Sequence, residues 1–173
     1  MLSNQSRPSL TLRVCVLDFD GVLHDDAVFC SPDRGMYLET PGRVLFEWMP
    51  ILEELLEPFP DLGIVLSTSW VRAKGLDYAT SRLSPSLRSR VVGATFDNRL
   101  IQKGEFDLMP RGLQVWQDIE RRAPAAWFAI DNDARGWPEH CLERVVFTQD
   151  RLGLSDVQVQ DAIRTILRAM DGS

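Results

Sequence analysis

The 173-residue chain is short of most features that would assign it to a class at sight. It has three cysteines, Cys15, Cys30 and Cys141, and no CxxC pair. An odd number so spaced excludes a disulfide framework and a cysteine-based zinc site, so reduced thiols are expected. No apolar run approaches the ~18–20 residues needed to cross a membrane, and the opening MLSNQSRPSL has neither the basic start nor the long apolar stretch of a signal peptide. A cytoplasmic location without a membrane partner is the expectation. Internal repeats and low-complexity tracts are missing, which excludes solenoid and disordered classes. An overall excess of positive charge is missing as well. The net charge of −6 argues against a large nonspecific nucleic-acid footprint.

What is present is the composition of a folded domain, 45% hydrophobic and 25% charged. A chain of this length buries roughly 68–70% of its unfolded surface and needs no covalent staple. The reading is a loose segment at 1–10 followed by one domain at 11–173. Charge is unevenly spread. Residues 1–71 carry eleven acidic and four basic side chains, whereas residues 72–111 carry eight basic and four acidic ones. That basic middle suits a phosphate-bearing ligand and equally suits a solvated Arg-rich face.

Three apolar runs, TLRVCVL (11–17), GIVLS (63–67) and WFAI (127–130), each end at a polar cluster in the manner of buried parallel strands. RVVGAT (90–95) and RVVFT (144–148) are weaker copies. Helical patterns fill the intervals at 43–57, near 71–83, at 111–122 and at 155–170, with Ser155 a candidate N-cap and a short turn opened by Ser84-Pro85. Pro50 is expected to kink the first of these, and residues 24–42 to form a long loop or small flap. The alternation predicts an α/β doubly wound parallel sheet in a three-layer α/β/α arrangement, built from right-handed crossovers.

Ligands of such sheets bind beyond the carboxyl ends of the strands. The first strand runs into Asp18-Phe19-Asp20-Gly21, which places two carboxylates two residues apart, on one side of an extended chain. Like charges that close need a cation or a shared proton. The second strand ends in Ser67-Thr68-Ser69-Trp70, hydroxyls and backbone N–H groups suited to phosphate oxygens. Another ends in Asp131-Asn132-Asp133, which alone would read as a turn. Oxygen ligands converging from two strand tips suit a small hard cation such as Mg²⁺.

CVLDFDGVL resembles the first motif of the haloacid dehalogenase-like (HAD) phosphohydrolases, IVLSTSW their second and WFAIDND their fourth, in the right order from about residue 12 to 150. The two tryptophans of these segments, Trp70 and Trp127, resemble a small HAD branch associated with bacterial RNA-repair proteins. The resemblance implies Asp18 as nucleophile, Asp20 as general acid and then base, and Thr68 or Ser67 as the second-motif hydroxyl, Thr68 being preferred. It implies Mg²⁺ held by Asp18, Asp20 and Asp131, with Asn132 or Asp133 completing the set. The third-motif cation is Lys103 or Arg111. Arg111 is preferred for its place at the start of a predicted helix. Asn132 departs from the acid expected there, and Arg111 from the usual Lys. Neither gap between motifs holds a cap domain, so the expected site is open. The implied substrate is a phosphomonoester, on an RNA or DNA end or a nucleotide, with no protein partner indicated. A noncatalytic phosphate-binding or regulatory module is the alternative. His24 is expected to be a flap residue lining the site mouth, His140 a solvated or structural residue, and most of the five tryptophans core.

Overall fold

The apolar runs become strands because they are flanked by turn formers and carry β-branched residues suited to a surface buried on both faces. The computed structural model describes residues 12–172, and the expected loose segment 1–10 lies outside the described residues. In chain order the elements are β1 (Arg13–Leu17), β2 (Val28–Ser31), β3 (Gly35–Leu38), α1 (Met49–Leu56), β4 (Leu62–Leu66), α2 (Ser69–Lys74), α3 (Leu76–Ser81), α4 (Pro85–Arg88), β5 (Val91–Ala94), α5 (Lys103–Leu108), α6 (Arg111–Arg122), β6 (Ala126–Asp131), β7 (Val145–Phe147) and α7 (Val157–Asp171). Five of the strands form one parallel sheet in the order β5-β4-β1-β6-β7. This is a Rossmann-like α/β core.

Alternation along the central strand sorts the two faces. Cys15 and Leu17 point with Ile64, Leu66, Phe128 and Ile130 into a core closed by α1, α7 and the helices after β4. Val14 and Val16 point the other way, with Val65 and Ala129, against Val115 and Ile119 of α6. Each such side chain contributes about 1.5–3 kcal/mol when fully buried.

Two local expectations are corrected and one is made specific. Pro50 does not kink a helix spanning 43–57, because α1 starts at Met49 and Pro50 lies in its first turn, where its missing N–H has no intrahelical partner to lose. The stretch 24–42 takes the flap form of the two expected. It contains the antiparallel β2–β3 hairpin, a minimal flap in the place where a cap would be inserted. The N-cap of α7 is Asp156 rather than Ser155. A 3-10 turn at Gly153–Ser155 comes first, and the Asp156 carboxylate accepts from the N–H of Gln158 at 2.9 Å.

The start of α6 is seated by a contact that excludes a side chain. Gly112 donates its N–H to the carbonyl of Arg135 at 2.9 Å, and a Cβ at this position would lie 2.2 Å from the Trp137 nitrogen. Gly112→Ala is therefore expected to destabilise the fold by about 1–3 kcal/mol through overpacking. For a chain of this size that lowers the melting temperature by roughly 2–4 °C per kcal/mol. An unchanged melt would mean that the first turn of α6 is free to shift.

Candidate active site

Three parallel strands end level with one another. Asp18 continues the ladder of β1 by donating its N–H to Ile130 O at 3.1 Å, and Ser67 does the same to Leu17 O at 2.8 Å. Asp18 is thereby carried beside Asp131 on one flank and Ser67 on the other. Beyond Asp18 the chain turns sharply, with Leu23 N–H bonded to Phe19 O at 2.8 Å and Gly21 N–H to His24 O at 2.9 Å. Gly21 has φ of +72°, and a Cβ there would fall 2.4 Å from Nδ2 of Asn132. Only glycine fits this turn.

Arg111, the first residue of α6, reaches across the strand ends. Its guanidinium approaches Asp18 Oδ2 at 3.4 Å through Nη2 and Asp131 Oδ2 at 3.3 Å through Nε. Nη1 donates to the Ser67 carbonyl and, at 3.1 Å, to Ser67 Oγ. Both carboxylates are buried, and their other oxygens are also engaged. Asp18 Oδ1 accepts from Phe19 N–H at 2.8 Å, and Asp131 Oδ1 from Asp133 N–H at 2.9 Å. Lys103 is not brought here. It pairs with Asp107 on an exposed face of α5, at 2.5 Å.

Burial pushes the Asp18 carboxyl well above its usual range. Arg111 pulls it down, while Asp131 and Asp20 push it further up. Burial likewise lifts Asp131 to about 6, against the pull of Arg111. The guanidinium is held above its ordinary value, because Asp18 and Asp131 outweigh the cost of its own burial. One cation thus serves two buried anions, with a third carboxylate, Asp20, close by.

Asp20 is held by residues that the motif alone does not identify. Its Oδ1 accepts from the indole Nε1–H of Trp70 at 2.8 Å and from Nε2 of His24 at 3.0 Å. The His24 tautomer is set from behind. Phe46 N–H donates to Nδ1 at 3.1 Å, so Nδ1 carries no proton and Nε2 carries the one given to Asp20. Phe46 has a φ of +61°, rare for a bulky residue, and its ring packs edge-on to His24, Phe19 and Trp70 at centroid distances of 4.9–5.3 Å. Asp20 Oδ2 receives only a long contact from Ser69 Oγ at 3.5 Å.

His24 is therefore not at the mouth of the site. It is fully buried, because its ring fills the space between the first-motif turn and Phe46. Trp70 is also fully buried, with no face open for stacking. Two signals pointed to this clamp: a histidine four residues after Asp20 in a tight turn, and a buried indole that must find an acceptor. His140 is exposed, with its ring edge-on to Trp116.

The remaining expected residues are dispersed among distinct tasks. Thr68 caps α2, and its Oγ1 accepts from Trp70 N–H at 3.4 Å while its own O–H is left to donate. Asn132 turns its amide nitrogen to a second acidic pair, donating to Asp26 at 3.2 Å and Asp150 at 2.9 Å, which leaves its carbonyl oxygen as its donor to any ion. Burial and Asp150 raise Asp26. Asp133 is chelated by Arg135, whose hydrogen bond lowers its carboxyl, and acts on Asp131 through its backbone N–H.

Among the described residues no group of three or more His, Cys, Asp and Glu side chains is arranged to hold a metal ion. The donor set here is of another kind: two buried carboxylates, each oxygen keeping a lone pair, and the neutral carbonyl of Asp20. The buried carboxylates of Asp18 and Asp131 share a single guanidinium, and a divalent ion would add the positive charge that both need to ionise together. Mg²⁺ is held by one or two carboxylates and several waters, so these residues fit it.

Residues 14–159 match the family model described as the HAD domain in Swiss Army Knife RNA repair proteins. No curated protein matches the chain.

The lifted Asp131 carboxyl makes stability depend on pH in metal-free protein. Its unfolded counterpart ionises near 3.9, so between about pH 4 and 6 the folded state binds more protons and stability falls as pH rises through that window. Asp131→Asn removes this loss. With chelator present, the variant is expected to melt above the wild type at pH 7.5, and the gap to close by pH 4. A variant that melts below the wild type at pH 7.5 would mean that the attraction of Arg111 outweighs burial.

Proposed function

The chain belongs to this HAD family, whose members imply phosphohydrolase-type activity, and from that premise we propose that it is a Mg²⁺-dependent phosphomonoesterase acting on nucleic-acid ends through an aspartyl-phosphate. The observation that carries the reading is the single guanidinium of Arg111 shared by the buried carboxylates of Asp18 and Asp131. A dianionic phosphate can approach an anionic nucleophile only where positive charge is concentrated in advance.

Asp18 attacks phosphorus, forming the Asp18–phosphate bond as the bond to the leaving oxygen breaks. Oδ2 of Asp20 protonates that oxygen. Anchoring of Oδ1 by Trp70 and His24 leaves Oδ2 as the oxygen free to carry the proton. Asp20 then takes a proton from water, which attacks phosphorus and releases Asp18 and phosphate. Arg111 holds the nucleophile and the transferring phosphoryl oxygens, and the O–H of Thr68 donates to one of those oxygens. The carboxylates of Asp18 and Asp131 and the carbonyl of Asp20 would hold Mg²⁺, which when bound neutralises phosphate charge. Between β1 and α1 the chain inserts a short hairpin, β2–β3, rather than a cap domain, which suits a large substrate such as an RNA or DNA end, and the family's association with RNA repair supports the same substrate.

Phosphate release from p-nitrophenyl phosphate and from oligonucleotides with 3′- or 5′-terminal phosphate tests this. Activity is expected to need Mg²⁺, to vanish in Asp18→Asn, and to fall about 10²–10³-fold in Arg111→Ala. Wild type and Asp18→Asn equally inert on every substrate would leave a phosphate-binding module instead.

The Asp20 clamp makes a separate prediction. Trp70→Phe keeps an aromatic ring in the cluster and removes the N–H, so turnover of alkyl phosphates, whose leaving oxygen needs a proton, should drop about 10–10²-fold. The initial burst of p-nitrophenolate, whose departure needs no proton from Asp20, should change little. A burst slowed as much as alkyl phosphate turnover would show that Trp70 does not act through the acid.

A further inference from the structure

Along the outer edge of the sheet runs a groove of about 580 Å³ that the chemistry above does not use. Its walls present Arg72 from α2, Arg99 from the loop after β5, and Arg121 and Arg122 from the end of α6, with Asp97 the one lining carboxylate. Each guanidinium has a carboxylate partner, and those of Arg99 and Arg121 stay substantially exposed. Arg121 and Arg122 share the single buried carboxylate of Asp118, and Arg99 chelates Asp97 while its side chain stays 84% exposed. Among these side chains the lining also includes exposed Val92 and Leu76 and the half-buried ring of Phe96.

Of the lining arginines, Arg72 lies nearest in sequence to the candidate active site. Arg72 lies one turn into the helix that Thr68 caps, pairs with Asp107 at 3.2 Å, and is close enough to Asp18 and Arg111 to feel both charges. From there the lining passes β5 to Arg122, near the far end of α6, whose guanidinium would lie 3.3 Å from a Cβ on Gly93. Guanidiniums spaced along a groove, with apolar and aromatic surface between them, suit a backbone of repeated phosphates and base faces that pack without sequence readout. A peptide adding as a strand is disfavoured. The register of β5 against β4 breaks between Ile64 and Val65, and such irregularities block edge pairing.

We propose that this groove binds the sugar-phosphate backbone of a single-stranded RNA whose terminal phosphate lies at Asp18. The proposal rests on the phosphatase reading for what happens at that end, but strand binding is measurable without turnover. The probe is a fluorescein-labelled ten-nucleotide RNA with hydroxyl ends, titrated with full-length protein and followed by anisotropy, in parallel with phosphate release from p-nitrophenyl phosphate. The expected result is salt-dependent binding, weakened at least tenfold in the double variant Arg99→Ala, Arg121→Ala and largely kept in Arg99→Lys, Arg121→Lys. The slope of log affinity against log salt should fall in magnitude by about 0.7 for each phosphate contact removed. Wild-type binding alone also decides, since a slope near zero, or no binding at all, would overturn the proposal. So would equal affinity of wild type and the alanine variant, or tighter binding of a polyglutamate peptide than of RNA, which would mark the groove as a protein-docking surface. Loss of phosphate release with RNA binding intact would reject the phosphatase reading and leave the groove standing.

Discussion

A guanidinium between two buried carboxylates is the interaction around which the rest of this molecule is arranged. Asp18 and Asp131 meet because β1 and β6 are hydrogen-bonded neighbours, and neither could be charged so close to the other without Arg111. Arg111 in turn is delivered by the first turn of α6, which can approach only because Gly112 has no side chain to meet the backbone at Gly136 and Trp137. Sheet order, one glycine and one arginine therefore form a single condition. The apolar faces supply the stability that lets so much charge be buried at one edge.

The two first-motif carboxylates differ through their surroundings rather than their chemistry. Asp18 is enclosed, with a backbone N–H on one oxygen and Arg111 on the other. Asp20 keeps one edge toward solvent and is steered by neutral donors, an indole and an imidazole, that fix direction without adding charge. The unusual backbone at Phe46 is part of that steering. It gives up a relaxed conformation so that one N–H can reach Nδ1 of His24, and a cluster of aromatic rings holds it there.

Much of this was legible in the sequence. Apolar runs ending in acids located β1 and β6, and the position of Arg111 at a helix start placed it opposite them. Such features are local, carried by period and by the neighbours of each residue. What was not legible depends on partners distant in sequence. His24 looked like a flap residue because its ring is committed to Phe46, twenty-two residues on. The turn of the Asn132 amide nitrogen toward Asp26 and Asp150 was not legible, because nothing near it in sequence announces that pair. Pro50 looked like a break within a helix because the apolar residues of the preceding turn extend the helical period past the true start at Met49.

The central position of β1 has a consequence for how the chain assembles. It is made first, yet it is hydrogen-bonded on both sides, to β4 and then to β6. On the ribosome its apolar segment can pair with β4 once residues 62–66 emerge, but its other edge waits until residues 126–131 are synthesised. Nonlocal parallel pairing of this kind is slow and exposes an unpaired edge meanwhile. Asp18 lies at the end of that waiting edge. The charged centre needs Asp131 from β6 and Arg111 from the preceding helix, so it cannot be complete before the long-range pairing that completes the middle of the sheet.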